Sequence, residues 1–385
     1  MWPKRLAGNA GSAAAGCKGI FKHNPGGNQT ARGAPGTMTA TGTATFADLK
    51  TLAGTSLGIP VEGGASLAGG GSQRKFYRLR AAGRPAVGAI GRNRAEVRAF
   101  LGFTRHFAAR GIPVPRILGE DAGRGLYLME DLGEATLADR LRQWRADPDG
   151  AGRAEEALTT VVRWLPVIQV RGGAGLDPAL FHEGAELDGA VFRADVERFL
   201  RHYLPRFALR PAPLDGAGRA ALNALLERLG ALPRDQFCYR DFQTRNIMWL
   251  AREGEQAEGP VFLDYQSGRR GPVAYDLASL LYSPDTGADE PLRARLIEAY
   301  LAALADCGAR LERRAFLAGF YPIVLVRRLQ ALGAYAQLAV EGGSSAYLER
   351  IPPALADLRA LQAAGRFDFG LPALEAWLAR VLAAD

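Results

Sequence analysis

Lysine is almost missing from this sequence: only five of the 48 basic residues are lysines (Lys4, Lys18, Lys22, Lys50 and Lys75), and none follows Lys75 in a chain of 385 residues. Cysteine is scarce too. Cys17, Cys238 and Cys307 lie far apart with no CxxC pair, which argues against a disulfide framework or a cysteine-based zinc site. The four histidines (His23, His106, His182 and His202) form no HExxH or triad-like pattern. No run approaches the roughly 18 consecutive apolar residues of a membrane span, and the cationic N-terminus lacks the apolar core of a signal peptide. The expectation is a cytoplasmic protein with no membrane partner.

Acids are absent before Asp48. Residues 1–47 therefore carry +5 of the net +8, leaving +3 on the remainder, so the basic balance is a weak argument for a nucleic-acid partner and none is expected. The Ala, Gly and Arg bias reads as the coding bias of a GC-rich genome. With 48% hydrophobic residues there is ample material for a buried core.

Residues 1–43 are rich in Gly, Ala, Asn and Thr without helical or strand periodicity, and read as a disordered tail. Met38 just before the first credible element leaves open a start downstream of residue 1. A helix is expected over 45–58. A glycine loop over 65–72 precedes a hairpin of 74–80 and 86–90, then a helix opened by Asn93, with Glu96 at capping-box spacing. A buried strand, 126–129, ends in Glu130-Asp131-Leu132-Gly133. Beyond Thr136 the pattern is helical, interrupted by two strand-like runs, 247–250 and 261–263. The division is thus a β-rich lobe over 44–132 and a larger, mainly helical lobe over 133–385, an α+β architecture.

The strongest chemical signal is Tyr239-Arg240-Asp241-Phe242-Gln243-Thr244-Arg245-Asn246, then a hairpin ending at Asp264. Phosphoryl transfer needs a carboxylate to orient and deprotonate an acceptor hydroxyl, and oxygen ligands to hold magnesium against a triphosphate. Asp241 supplies the first; Asn246 and Asp264 supply the second. Each alone is an ordinary loop residue, but the combination inside an apolar hairpin, followed by Asp276, is specific.

These motifs, YRDFQTRNIM, FLDYQ, GPVAYDLASLL and LMEDLG, resemble the aminoglycoside phosphotransferase-like, protein-kinase-related small-molecule kinases, from about Ala65 to the C-terminus. Within that group GSQRKFYRL, GIPVPRIL and YLMEDLG are most similar to the anomeric N-acetylmuramate/N-acetylglucosamine kinases of cell-wall recycling. The resemblance implies a two-lobed protein-kinase-like fold, ATP and Mg2+ as cofactors, and a small-molecule acceptor, an amino sugar. It implies that Asp241 is catalytic, that Asn246 and Asp264 bind metal, and that Asp276 supports the catalytic loop. The backbone of Met129, Glu130, Asp131 and Leu132 would read adenine, Gly69, Gly70, Gly71 and Ser72 would cover the phosphates, and Glu96 would be the helix acid of a kinase.

Two departures stand out. The third strand, 86–90, has no phosphate-binding lysine, which leaves Lys75, Arg74, or backbone and metal alone to do that work. Tyr239 stands where the family has histidine, a buttress outside the chemistry. Arg269 and Arg270 follow Asp264 closely enough to meet an anionic acceptor, and at least one of Arg327 and Arg328 should face outward. The alternatives are an aminoglycoside phosphotransferase, disfavoured by the scarcity of acids in the C-terminal half, and a pseudokinase, disfavoured by the intact Asp241, Asn246 and Asp264. Neither oligomeric state nor acceptor identity is legible.

Overall fold

In a computed structural model of the chain, residues 44–67, 74–81, 83, 85–208, 212–251 and 258–383 are described. The expected tail, Met38, and Gly69, Gly70, Gly71 and Ser72 lie outside them. Packing divides the chain into two compact units. One takes residues up to Asn93 with Leu118–Asp131; the other takes Arg94–Ile117 with Leu132–Asp385.

The first unit holds α1 (Phe46–Leu57) and a five-stranded antiparallel sheet of β1 (Val61–Leu67), β2 (Lys75–Ala81), β3 (Ala86–Ile90), β4 (Ile117–Asp121) and β5 (Leu126–Glu130), ordered β1-β2-β3-β5-β4. Helix α1 starts where Thr45 and Asp48 form a reciprocal capping box and stops at left-handed Gly58. Its Leu49 and Ala53 are fully buried and pack with Ala86, Ile90, Leu126 and Leu128. Gly88 lets helix and sheet approach this closely, since a Cβ there would stand 2.7 Å from Leu49. The expected loop from Ala65 is in part β1: Ala65, Ser66 and Leu67 pair with Arg78, Tyr77 and Phe76. Two glycines and a bulge between Val61 and Gly63 hide this strand from a period-two reading, and pairing with β2 is what orders it.

The second unit contains α2 (Arg94–Ala108), α3 (Leu137–Ala146), α4 (Ala151–Pro166), α5 (Gly189–Arg198), α6 (Leu204–Phe207), α7 (Gly216–Gly230), α8 (Ala274–Leu281), α9 (Glu290–Asp306), α10 (Arg313–Val340), α11 (Ile351–Ala363) and α12 (Pro372–Leu382). Four short strands lie among them: β6 (Gln236–Cys238) pairs with β9 (Arg269–Gly271), and β7 (Ile247–Ala251) with β8 (Glu258–Phe262), both antiparallel. The β7–β8 pair is the expected hairpin. Residues 94–117 group with this unit, rather than with a contiguous lobe 44–132, because the aromatic face of α2 packs on it. Phe103 and Phe107 meet Phe237 at 5.5 and 5.3 Å, and Phe100 stacks on Tyr265 at 5.4 Å.

The central helix is α10. Among the described residues it is the one helix long and apolar enough to cross a membrane, yet 56% of the relevant window is buried inside the fold, with Ile323, Val324, Leu325, Val326 and Leu329 at 0% exposure. It is a core helix. Its Gly333 meets a π-helical turn, Phe199–Tyr203, that continues α5: a Cβ there would lie 2.6 Å from the Phe199 backbone nitrogen. Backbone cannot yield as a side-chain end can. Gly333→Ala is therefore expected to destabilise the protein by about 1–3 kcal/mol in urea unfolding, a cost of overpacking.

Candidate active site

Asp241 sits between two tightly held neighbours in the loop after β6. Arg240 adopts a left-handed backbone (φ 74°), which a non-glycine residue adopts only when its surroundings impose it. The imposing group is Asp276 at the start of α8, fully buried. Its Oδ2 accepts from the Tyr239 N–H at 2.9 Å, and its Oδ1 from the Arg240 N–H at 2.8 Å and the Cys238 thiol at 3.4 Å. Gln169, in a π-helical turn (Val167–Gly172) after Pro166, donates to Asp276 Oδ2 at 2.9 Å and to the Val273 carbonyl at 3.1 Å. The Tyr300 hydroxyl in turn donates to Gln169 Oε1 at 2.7 Å. Burial raises the Asp276 carboxyl against these hydrogen bonds, and burial together with the nearby Asp276 charge pushes the Cys238 thiol well up, which leaves it protonated and inert.

On the other side, the Asn246 side-chain amide donates to the Asp241 carbonyl at 2.9 Å and to Asp264 Oδ2 at 3.3 Å. Asp264 also has a left-handed backbone (φ 69°), and its Oδ1 accepts from the Gln266 amide at 2.8 Å. The Tyr239 hydroxyl donates to the Leu263 carbonyl, just before Asp264, and its ring meets Phe242 and Tyr265 edge-on. The tyrosine thus ties the two loops together, a buttressing geometry.

The Asp241 carboxylate accepts no hydrogen bond from a described residue. Burial and the neighbouring Asp264 carboxylate raise its pKa to about 6, against the opposing charges of Arg240 and Arg327. A half-buried, unpartnered carboxylate of raised basicity is suited to receive a hydroxyl proton.

Asn246 Oδ1 is buried with no hydrogen-bond partner. An orphaned amide oxygen beside a carboxylate fits a hard divalent cation, and the two side chains supply fewer ligands than such an ion takes; among the described residues no cluster of three or more His, Cys, Asp or Glu forms a self-sufficient metal cage. That is the donor set of a site completed by substrate phosphates and water.

Other expected residues are more dispersed. Glu96 lies on α2, 3% exposed, in the unit that holds Asp241. Met129 and Glu130 end β5 in the other unit, with Asp131 beside them, and Leu132 opens the larger unit. Asp131 takes a two-point ion pair from Arg78, at 2.6 and 3.0 Å. Lys75 is exposed, whereas Arg74 is buried and donates to the Tyr127 hydroxyl at 3.3 Å.

Two arginine expectations are corrected. Arg269 does not stand ready for an acceptor: it is buried in β9 and pairs with Glu183 at 2.9 Å, a carboxylate it shares with Arg240, while Arg270 is exposed on the same strand. Neither Arg327 nor Arg328 faces outward. Arg328 is 3% exposed and bound to Asp357 and the Tyr282 carbonyl, and Arg327 is half-buried beside Tyr275. Both are held because α10 is surrounded on nearly all sides. Sequence reasoning also missed Gln169, whose one signal was a lone amide in an apolar run after a proline, and Asp195, which had none.

A sheet-containing unit, a mainly helical unit, and a catalytic-type loop facing a β-hairpin define a small-molecule kinase of α+β, kinase-like fold. The chain belongs to the phosphotransferase enzyme family, whose model matches residues 64–317. It is 29% identical over 284 residues to the N-acetylmuramate/N-acetylglucosamine kinase of Caulobacter vibrioides, covering 69% of this chain and 74% of that protein. It is 27% identical over 262 residues to the protein of that name from Pseudomonas aeruginosa, covering 67% and 71%. Among solved structures it is similar in fold to the choline kinase LicA from Streptococcus pneumoniae (TM-score 0.55, 14% identity, 82% of this chain and 100% of that one). It is also similar to the GDP and kanamycin complex of APH(2")-IIia (TM-score 0.54, 12% identity, 80% and 98%).

Proposed function

We propose that the protein transfers the γ-phosphate of ATP to a hydroxyl of an N-acetylated amino sugar, of the N-acetylmuramate or N-acetylglucosamine type. The observation that carries the reading is the unpartnered Asp241 carboxylate, held between a left-handed Arg240 and the Asn246 amide, beside Asp264. Support for the acceptor comes from the names of the curated relatives.

In this reading Asp241 accepts a hydrogen bond from the acceptor hydroxyl, orients its oxygen toward phosphorus and takes the proton as the new O–P bond forms and the bond to the ADP leaving oxygen breaks. Asn246 and Asp264 would hold a magnesium ion, which when bound neutralises charge on the transferring phosphates. The fixed loop, Arg240 to Asn246, spares the enzyme reorganisation at the moment of transfer. The backbone of residues 129–132, together with Glu96 and residues 69–72, carries the nucleotide-binding part of the proposal. A cytoplasmic site of action accords with an intracellular ATP supply.

Incubation with Mg-ATP and, separately, N-acetylmuramate, N-acetylglucosamine and kanamycin tests this. A new phosphate ester signal in phosphorus NMR is expected with the two sugars and not with kanamycin. A signal with kanamycin alone would transfer the assignment to an antibiotic kinase, and none with any acceptor would favour a nucleotide-binding module. The buried arginines near Asp241 weigh against a polycationic acceptor.

A further inference from the structure

Beside Asp241 lies a set of charged side chains that phosphoryl transfer leaves unused. Arg327 on α10 spends its guanidinium on neutral acceptors: Nη1 donates to the Tyr275 hydroxyl at 2.5 Å and to Gln330 Oε1 at 2.8 Å, and Nη2 to Ser279 Oγ at 2.8 Å. Its Nε has no partner, and no carboxylate among the described residues stands within ion-pair distance. The guanidinium carbon sits 4.6 Å over the Tyr275 ring. Its partners lie on α8 and on α10 itself, and solvent still reaches the side chain, as it reaches Asp241. An enclosed cation held by neutral groups carries an electrostatic cost that a counter-anion relieves.

The fields of Asp241 and Asp195 favour the Arg327 cation, but neither carboxylate pairs with it, so its direct partners are all neutral. Arg240 is matched by Glu183, which also takes Arg269. Arg198, half-buried at the end of α5, adds a further positive charge. The acid on this face, Asp195 of α5, is 1% exposed; the Gln330 amide is near it but outside hydrogen-bonding geometry, and neither carboxylate oxygen has a partner. Burial raises the Asp195 pKa against the fields of Arg240, Arg327 and Arg198.

We propose that Arg327 is a specificity residue that anchors a carboxylate on the acceptor, placing the anionic arm of a carboxylated sugar against α10 while its hydroxyl meets Asp241. Stacking on Tyr275 and the bonds to Ser279 and Gln330 fix the plane of the guanidinium in advance, which favours a planar, directional partner such as a carboxylate over a diffuse negative charge. The inference rests on the sugar-kinase reading and refines it: the acid-bearing sugar is preferred over a neutral one.

The test compares N-acetylmuramate with its carboxamide, which differs only in that charge, as acceptors for the full chain with Mg-ATP. The wild-type kcat/KM is expected to favour the acid by about tenfold or more, through KM. Arg327→Gln should bring that ratio to within about twofold of one, whatever loss is common to both acceptors, and Arg327→Lys should restore part of it. Calorimetric binding of the acid to wild type and R327Q gives a second readout. Equal use of acid and amide by the wild type, a comparison that needs no folded variant, overturns the inference and leaves the kinase reading intact. So does an R327Q enzyme that keeps the preference. Turnover of neither sugar by the wild type overturns both.

Discussion

Asp241→Asn is expected to lower kcat by at least about a thousandfold while changing affinity for Mg-ATP by no more than about threefold. The asparagine keeps the shape of the loop but does not take a proton from the acceptor, and a lost general base together with lost orientation of the nucleophile accounts for a reduction of that order. Single-turnover kinetics with nucleotide binding measured separately checks it; an Asn variant that turns over like the wild type would sink the assignment. The raised pKa gives a second signature. Burial and Asp264 place the Asp241 carboxyl at about 6, so kcat/KM should fall with one-proton slope as the pH drops through that region, with the midpoint lowered where a bound cation screens Asp264.

The sign for stability runs the other way. A carboxyl whose folded pKa lies above its unfolded value binds its proton more tightly in the native state. The associated stability is fully present below the unfolded pKa and is lost as the pH rises through about 6. Asn removes the ionised, desolvated group. D241N should therefore melt about 1–2 °C higher than the wild type at pH 7.5, with the gap closing toward pH 4.

The second large effect is expected at Asp276. Replacement by Ala leaves the Tyr239 and Arg240 N–H groups and the Gln169 amide buried without their acceptor. Each such loss costs about 1–3 kcal/mol, and the left-handed Arg240 backbone loses the bond that holds it there. We expect a destabilisation of about 3–5 kcal/mol. Asp276→Asn is gentler, because it keeps the volume and one acceptor oxygen but turns the other position into a donor facing donors. It should fold, lose about a hundredfold in kcat and leave the KM for ATP within a few-fold, since the misplaced group is Asp241 and not the nucleotide contacts. Urea unfolding alongside steady-state kinetics separates the two effects; a D276N enzyme with wild-type kcat would show that the carboxylate serves folding alone.

Much of the architecture was legible for a plain reason: its causes are local. The α1 cap is a reciprocal contact between residues three apart, Thr45 and Asp48. The β2–β3 and β7–β8 pairs are hairpins of neighbouring apolar runs, and Asp241 and Asn246 stand five residues apart with one hydrogen bond between them. Strand β1 was not legible, because its glycines carry no alternation and its register exists only against β2. The β6–β9 pair was missed for a related reason: its three-residue strands, more than thirty positions apart, are too short to show a period. Residues 269 and 270 therefore looked like a free basic pair.

The sequence by itself determined the candidate reacting groups, their order and their spacing, because a carboxylate, an amide and a second carboxylate around one hairpin are properties of a short stretch of chain. Only the tertiary structure decided what surrounds them. Gln169 reaches Asp276 across 107 positions and Arg327 reaches Tyr275 across 52, and contacts at such separations leave no periodic trace. Whether a charged residue on a long helix meets water or a neighbour's side chain depends on what packs against that face. On α10 the neighbours include α5, the π-helical turn that continues it, α8 and α11. They turn Arg327, one of a pair of which the sequence alone places at least one member at the surface, into an enclosed cation whose field reaches Asp241.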